Sequence, residues 1–441
     1  MATTQLKRTN GSPTNAYKGT FSAWIKRSSL SNQRLFMNMV DGNNYCWLAF
    51  NSSHQLEVVG LVSGSTYCDY KTNRLFRDTN AYYHIMVVID TTEGTATNRM
   101  KLYVNGAQET SFATHTFSGG QNSNHPLLIA STTNYHTIGA AENAQVNFDG
   151  LMSHIHFCDG TALAPTVFGS TDSTTGEWKI NTSPSFTPGN NGYTILKNGN
   201  TITDQSANSN DFTLGAGTLT KTEDNPSNVF ATWNFLSSPS NGNVGDITGS
   251  NGNTTTSSLG SGYRSYPATL GYTTGKFYWE IKRNNTTSDC HLGITNEDLT
   301  PANQATWIGN TANGWMYSLD GGVTYNGGSS TNSGYSTSTT GDIIMVAHDA
   351  TNGKLYFGKN GSWQGSSNPA TEAYPAFTGL STSKFWFPAF SGGSSNSANF
   401  GNGYFGTTAV SSAGTNASGI GIFEYDVPTG YTALSTKGLN L

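Results

Sequence analysis

Two stretches of this sequence share one design, and that design leaves few folds open. Residues 84–106 read HIMVVIDTTEGTATNRMKLYVNG. An apolar run ends in Asp90, a polar Gly-containing turn follows, and a second run through Lys101, Leu102 and Tyr103 closes on Asn105-Gly106. Residues 343–361, IIMVAHDATNGKLYFGKNG, repeat the plan with a shorter turn, ending the first run in Asp349 and carrying Lys354, Leu355 and Tyr356 in the second. Runs of β-branched and aromatic residues bounded by Asn-Gly are the strongest short-range hairpin signal. Two such hairpins in long strand-and-turn surroundings predict two antiparallel β-sandwich (jelly-roll) domains in tandem, an all-β chain.

At 441 residues the chain is long enough for two or three domains with buried cores. Only 11% of residues are charged and the net charge is -5, which argues against nucleic acid, whose phosphates ask for clustered Lys and Arg. Polarity comes instead from Ser, Thr, Asn and 51 Gly, while 12% aromatic residues along the whole length argue against disorder. Residues 1–19 show no secretory pattern, and the longest apolar run, 85–89, is far too short to cross a bilayer, so synthesis in the cytoplasm and no membrane insertion are expected. The four cysteines, Cys46, Cys68, Cys158 and Cys290, are too few for a disulfide framework and read as buried thiols.

Along the chain, Phe21, Ala23 and Ile25 alternate with Ser22, Trp24 and Lys26, the pattern of a half-buried strand. Further strands are expected at 34–40, 45–50, 55–61, 71–76, 126–130, 136–139 and 146–158. From 166 to 228 strand signals thin, which predicts a Gly/Asn/Ser/Thr-rich connector with a small strand pair at 193–196 and 211–214, between a first sandwich over 1–165 and a second over 229–441. The second is expected to hold strands at 230–235, 276–283, 291–295, 314–319, 385–390, 398–400 and 420–425, with surface loops at 241–262 and 327–334. The only helical signal is a turn or two near 298–305.

Several motifs carry a resemblance. FSAWIKR (21–27), AYYHIMVVIDTT (81–92), NRMKLYVNG (98–106), FDG (148–150) and DGTALAPTVFG (159–169) resemble the laminin-G-like, concanavalin A-like domains of tailed bacteriophages, in a variant similar to that of marine phage structural proteins. In that variant the domain runs into G-x-W-K, here 176–179, then D-x-S-G-N-x-N-D-F, here DQSANSNDF (204–212), and D-x-P-x-N-x-F-A-T, here DNPSNVFAT (224–232). Ala207 stands where the motif has glycine, so that turn is expected to avoid a left-handed φ. GKFYWEI (275–281), GDIIMVAHD (341–349), GKLYFGKNG (353–361), FPAFS (387–391) and ANFGN (398–402) resemble a SPRY-type sandwich. Together the motifs span almost the whole chain.

Catalytic constellations are sparse. A jelly-roll glycanase needs paired carboxylates on one strand face, as in E-x-D-x-x-E. Only Glu424-Tyr425-Asp426 begins that pattern, and Thr429 stands in the last place, so a solvated strand edge is the simpler reading. His154, His156 and Cys158 would share a strand face and could suit zinc, but spacing supplies no fourth ligand. Asp90, Asp149 and Asp349, at strand ends, are the calcium candidates, with turn-capping as the plainer alternative. No P-loop, nucleophile elbow or dinucleotide fingerprint occurs. Aromatic platforms for glycans are drawn from Trp307, Trp315, Tyr317 and Tyr325 in the second sandwich and Trp47, Tyr82 and Tyr83 in the first, most of which a sandwich needs as core.

The resemblance implies a non-enzymatic virion structural protein, part of a tail fibre or surface appendage, located in the virion. Its implied partners are other virion proteins, copies of itself (a trimer by family practice) and host-surface glycans, with no cofactor beyond a possible calcium. The alternatives are a purely architectural capsid decoration or head-fibre protein, and a glycan-cleaving enzyme, which loss of reducing-end release on Glu424→Gln would identify.

Overall fold

The computed structural model describes residues 3–128, 134–197, 201–237, 247–259 and 263–441. Two compact units partition the chain, Met1–Lys221 with Asn225–Ser227, and Thr222–Asp224 with Asn228–Leu441.

The first unit opens with β1 (Gln5–Thr9), β2 (Lys18–Arg27), β3 (Gln33–Asp41), β4 (Asn44–Phe50), β5 (Gln55–Val62) and β6 (Ser65–Leu75). It continues with β7 (Tyr83–Asp90), β8 (Met100–Val104), β9 (Ala107–Gln108), β10 (Phe112–Phe117), β11 (Tyr135–Ile138) and β12 (Gly150–Asp159). Four short strands complete it: β13 (Gly169–Thr171), β14 (Trp178–Ile180), β15 (Tyr193–Ile195) and β16 (Thr213–Ala216). An eight-stranded sheet, β10-β6-β5-β4-β3-β11-β1-β16, faces a six-stranded one, β15-β12-β2-β7-β8-β9. Between them Phe21, Ile25, Phe36, Leu48, Val58, Val87, Leu102 and Ile155 form one dry core. The strands expected to pair at 193–196 and 211–214 do not meet; β15 extends one sheet through β12 and β16 the other through β1. Both find a ready-made edge there, where an isolated two-stranded pair would be marginal.

The outward face of β2 is buried too: Ser22 and Trp24 are 0% and 5% exposed, so the strand is not half-buried as its alternation predicts. Chain from 162 to 186 lies over this face, packing Phe168, Val167 and Phe186 on Met86 and Val88. Trp178 of the G-x-W-K motif pins it. Its ring stacks with His84, which stacks on Trp24, and its Nε1 donates to His84 Nδ1 at 3.1 Å. Gly106 makes room for that indole, since a Cβ there would lie 2.4 Å from the ring.

The second unit holds β17 (Gly249–Ser250), β18 (Thr255–Thr256), β19 (Ser265–Pro267), β20 (Lys276–Arg283) and β21 (Cys290–Asn296). After the single turn α1 (Pro301–Gln304) come β22 (Gly314–Ser318), β23 (Val323–Asn326), β24 (Ser329–Ser333), β25 (Ile343–Asp349), β26 (Lys354–Lys359) and β27 (Ser362–Trp363). It ends with β28 (Trp386–Gly392), β29 (Asn396–Asn399), β30 (Tyr404–Phe405), β31 (Thr408–Ala409) and β32 (Thr432–Ala433). One sheet runs β17-β18-β29-β20-β25-β26-β27 with β32 beside β20, the other β19-β28-β21-β22-β23-β24. Trp233, Trp279, Trp386, Phe357 and Phe390 fill the space between.

Residues 230–235 and 420–425 are not strands; each makes only isolated bridges. Of the expected strand at 126–130, Pro126–Leu128 is a 3-10 turn and 129–130 lie outside the described residues. The same holds for 241–246 and 260–262 of the expected loop.

The two hairpins are built alike. In each, the Asn-Gly pair has positive φ at both residues (48° and 77° at Asn105-Gly106, 49° and 83° at Asn360-Gly361), the type I′ geometry. Asn105 Oδ1 accepts from the His84 amide and Asn360 Oδ1 from the Ile343 amide, both at 2.8 Å. Register sets Lys18 beside Asp90 and Lys276 beside Asp349, each an ion pair of 2.9 Å. The strands carrying those lysines end in fully buried arginines, Arg27 and Arg283, whose guanidinium groups donate to loop carbonyls.

Candidate functional site

Each sandwich has two outward sheet faces, and the chain covers three of the four with its own apolar residues. Phe168 and Phe186 cover one in the first unit. In the second, Phe423, Val427 and Tyr431 lie on Tyr278, Met345 and Tyr356, and Trp307 with Ile308 lies on Met316 and Ala389. Over the eight-stranded sheet of the first unit no such cluster forms among the described residues.

That fourth face carries aromatic side chains where a solvated strand would carry polar ones. Along β4, Cys46, Leu48 and Phe50 point into the core, so Tyr45 and Trp47 point outward. Register aligns Tyr135, Met39, Tyr45 and Leu61 in one row and Thr137, Met37, Trp47, Val59 and Asp69 in the next. Four strands at ~4.8 Å spacing make this stripe roughly 14 Å wide. The Tyr45 and Trp47 rings stack at 4.8 Å with an 8° interplanar angle. Arg34, level with Ala49, brings its guanidinium to 4.0 Å from the Trp47 ring centre, and Lys7 lies 3.9 Å over Tyr135.

Burial lowers the Arg34 guanidinium to about 10, Glu57 opposing the shift, so it stays a cation at neutral pH. Its Nε and Nη1, together with Trp47 Nε1 and Asp69 Oδ1, have no hydrogen-bond partner among the described residues. Desolvated polar atoms left unpaired cost about 1–3 kcal/mol each, so the protein itself satisfies the polar groups beneath this face poorly. Tyr45 and Arg34 occupy the two faces of Trp47, and its Nε1 is buried. The surface combines an apolar floor of Met37, Met39, Val59 and Leu61 with donors and acceptors at its margins.

The residues singled out from sequence distribute differently. Tyr317 is 0% exposed, with its hydroxyl donating to Ser336 O, and is core rather than surface. Trp315 shares its inward side and packs edge-on against Trp386 at 5.0 Å. Trp307 and Tyr325 are half-buried on the outer side, T-shaped at 5.3 Å, and continue through His291 to Tyr263. In the first sandwich Tyr82 is buried and Tyr83 packs on Phe76. Tyr45 was missed, although Y-C-W-L shows aromatic residues on the side of a strand opposite Cys and Leu, which only a double-faced strand does.

The calcium candidates do not fit a metal site. Asp90 binds Lys18 and Thr92, Asp349 binds Lys276 and Asn352, and burial raises the Asp149 carboxyl above its usual range. Among the described residues no group of three or more His, Cys, Asp or Glu could hold a metal ion. The zinc alternation fails locally, because His154 has φ 49° at a bulge where β12 slips register against β2. Glu424 and Asp426 cap loops, accepting from the Ser411 and Thr415 amides, and stand on no strand. All four cysteines are free and buried; Cys46 and Cys68 flank Gly60, where a Cβ would come within 2.9 Å of the Cys68 sulfur.

Comparison with known proteins agrees with this architecture. Residues 2–168 match the concanavalin A-like lectin/glucanases superfamily and residues 276–403 the SPRY domain. No curated protein matches the chain. Among solved structures, the SPRY domain of human HERC1 is 17% identical over 38% of this chain and 96% of its own, with a TM-score of 0.30. A native heptameric SAP-like pentraxin from Limulus polyphemus is 18% identical over 37% of this chain and 72% of its own, with a TM-score of 0.28. The chain thus carries a laminin-G-like, concanavalin A-like domain followed by a SPRY domain, an all-β tandem of folds that typically serve as binding modules.

Proposed function

We propose that this chain is a non-enzymatic attachment protein that binds surface glycans through the open sheet face of its first sandwich. The observation that carries the reading is that three outer sheet faces are covered by apolar residues of the chain itself, while the fourth, without such a cluster among the described residues, keeps stacked Tyr45 and Trp47 and also Tyr135 outward, with the Arg34 and Lys7 cations over Trp47 and Tyr135. Pyranose rings alternate apolar C–H surfaces with hydroxyls that donate and accept, which is the chemistry such a stripe complements. Weak single contacts would gain strength by repetition on a particle.

The phage-like order of motifs supports a role in a virion, as part of a tail fibre or surface appendage in contact with other virion proteins and assembled as a symmetric oligomer, a trimer by family practice. Glycan-array binding by the purified protein tests the first part. Trp47→Ala is expected to lower glycan affinity about tenfold or more, the scale of losing one buried aromatic anchor. Unchanged binding would remove the face from consideration, and absence of the polypeptide from purified virions by mass spectrometry would sink the virion assignment. Capsid localisation without sugar binding would point to the architectural alternative.

A further inference from the structure

The D-x-S motif at 204–206 has a structural consequence separate from the open face. Asp204 accepts from the Thr194 and Ser206 amides through Oδ1, each at 2.8 Å, and from Ser206 Oγ at 2.7 Å and the Asn210 amide at 2.8 Å through Oδ2. Four donors on one carboxylate hold the 204–210 turn rigidly against β15. The turn forms one wall of a cavity of about 140 Å³ on the outer side of the six-stranded sheet. Phe186 and Pro188 make the facing wall, and His156 with Thr194, paired in register, make the floor. His156 is held by Phe168, stacked at 5.2 Å, and by Thr194 Oγ1, 2.9 Å from its Nδ1.

Charge in this cavity has one sign. Lys197 lines it and makes no ion pair among the described residues. Its ammonium acts on both His154 and His156, adding to burial in keeping those imidazoles neutral. The motif carboxylate, Asp204, spends both oxygens on the Thr194, Ser206 and Asn210 donors. An uncompensated ammonium beside an aromatic-proline wall asks for a ligand with an anionic group at one end and an apolar ring face at the other. At ~30 Å³ per water the space holds about five waters, enough for one ring or its acidic end and far too little for an oligosaccharide.

We infer that this cavity is a binding site for a carboxylated monosaccharide unit, a uronic or sialic acid, with Lys197 on the carboxylate and Phe186 against the ring. The site shares no residue with the open sheet face and stands whether or not that face binds glycan. Calorimetry and saturation-transfer NMR on the full chain would compare sodium glucuronate, N-acetylneuraminate, glucose and sodium acetate. At least one acidic sugar is expected to bind about tenfold more tightly than both glucose and acetate, the scale of one charge-assisted contact added to a ring contact. Lys197→Met should remove that preference while Lys197→Arg retains most of it, and Phe186→Ala should weaken the acidic sugar without changing acetate. Raising ionic strength should weaken the acidic sugar and leave glucose unchanged, a readout on the unaltered protein. Acidic sugars bound no better than acetate, or an affinity indifferent to Lys197→Met, would overturn the proposal. Trp47→Ala should leave glucuronate binding intact, which separates failure of this site from failure of the sheet face.

Discussion

Arg27 shows how much one side chain organises. It is 0% exposed, its Nε donates to Gln33 Oε1 at 3.0 Å, and its terminal nitrogens donate to Phe76 O and Ser31 O at 2.6 and 3.0 Å. Phe50 packs against the guanidinium at 4.3 Å. The β2–β3 connection and the chain just after β6 therefore both end on one cation, and burial lowers it only to about 10, so it is charged at every physiological pH. Arg27→Met would fill most of the volume but take the donor from two carbonyls and from Gln33 Oε1. A loss of roughly 3 kcal/mol is expected, read from the urea midpoint. The position was visible in FSAWIKR and in the parallel ending of FYWEIKR, yet nothing local says that these arginines turn inward; a strand-end Arg ordinarily reaches solvent, and only loops folding back to offer carbonyls reverse that. Tyr317 errs in the opposite direction. Alternation puts it opposite Met316, but which side is dry depends on the facing sheet.

At the scale of elements, the covering segments decide which faces remain available. The chain from 411 to 431 lies on the eight-stranded sheet of the SPRY unit, and Glu280 ties it there. The Glu280 carboxylate accepts from the Glu424 and Tyr425 amides, each at 2.8 Å, and from Tyr278 Oη at 2.8 Å. Gln at this position would turn a carboxamide NH2, itself a donor, toward backbone donors and leave at least one of them unpaired, costing about 2 kcal/mol. Glu280→Gln is therefore expected to speed hydrogen exchange of the 420–427 amides without altering exchange in the β20–β25 ladder; equal exchange in both would mean that the carboxylate is not the tie. Burial raises Glu280 to about 7 against the pull of those donors. The native state then holds a proton that the unfolded chain has released between pH ~4.5 and ~7, so this group's contribution falls as pH rises through that window, by about 3 kcal/mol in all.

The whole molecule has a stronger titration of the opposite sign. Seven of the nine histidines, His84, His125, His136, His154, His156, His291 and His348, lie below their ordinary pKa because burial disfavours the imidazolium. Below pH ~6.5 the unfolded chain takes up protons that the native state refuses until the pH is well lower, about 3 for His84 and His136 and about 4 for His125, so stability declines as pH falls. Seven such groups outweigh one glutamate. The melting temperature is expected to fall steeply from pH 6.5 toward 4, and a flat profile over that range would contradict the buried, neutral state of these rings.

Read from the chain alone, the all-β class, the two hairpins, their type I′ Asn-Gly turns and most strand positions follow, because alternation and turn chemistry act between residues a few places apart. Tertiary structure alone decided that β15 and β16 of the 166–221 segment extend opposite sheets of the first sandwich, that three outer faces are roofed, and that Tyr45 with Trp47 is left outward on the fourth. Coverage of a face is a contact between segments distant in sequence, such as Trp178 on His84 or Phe423 on Tyr278. A strand's own pattern records which side a residue takes and carries no information about what comes to lie over it.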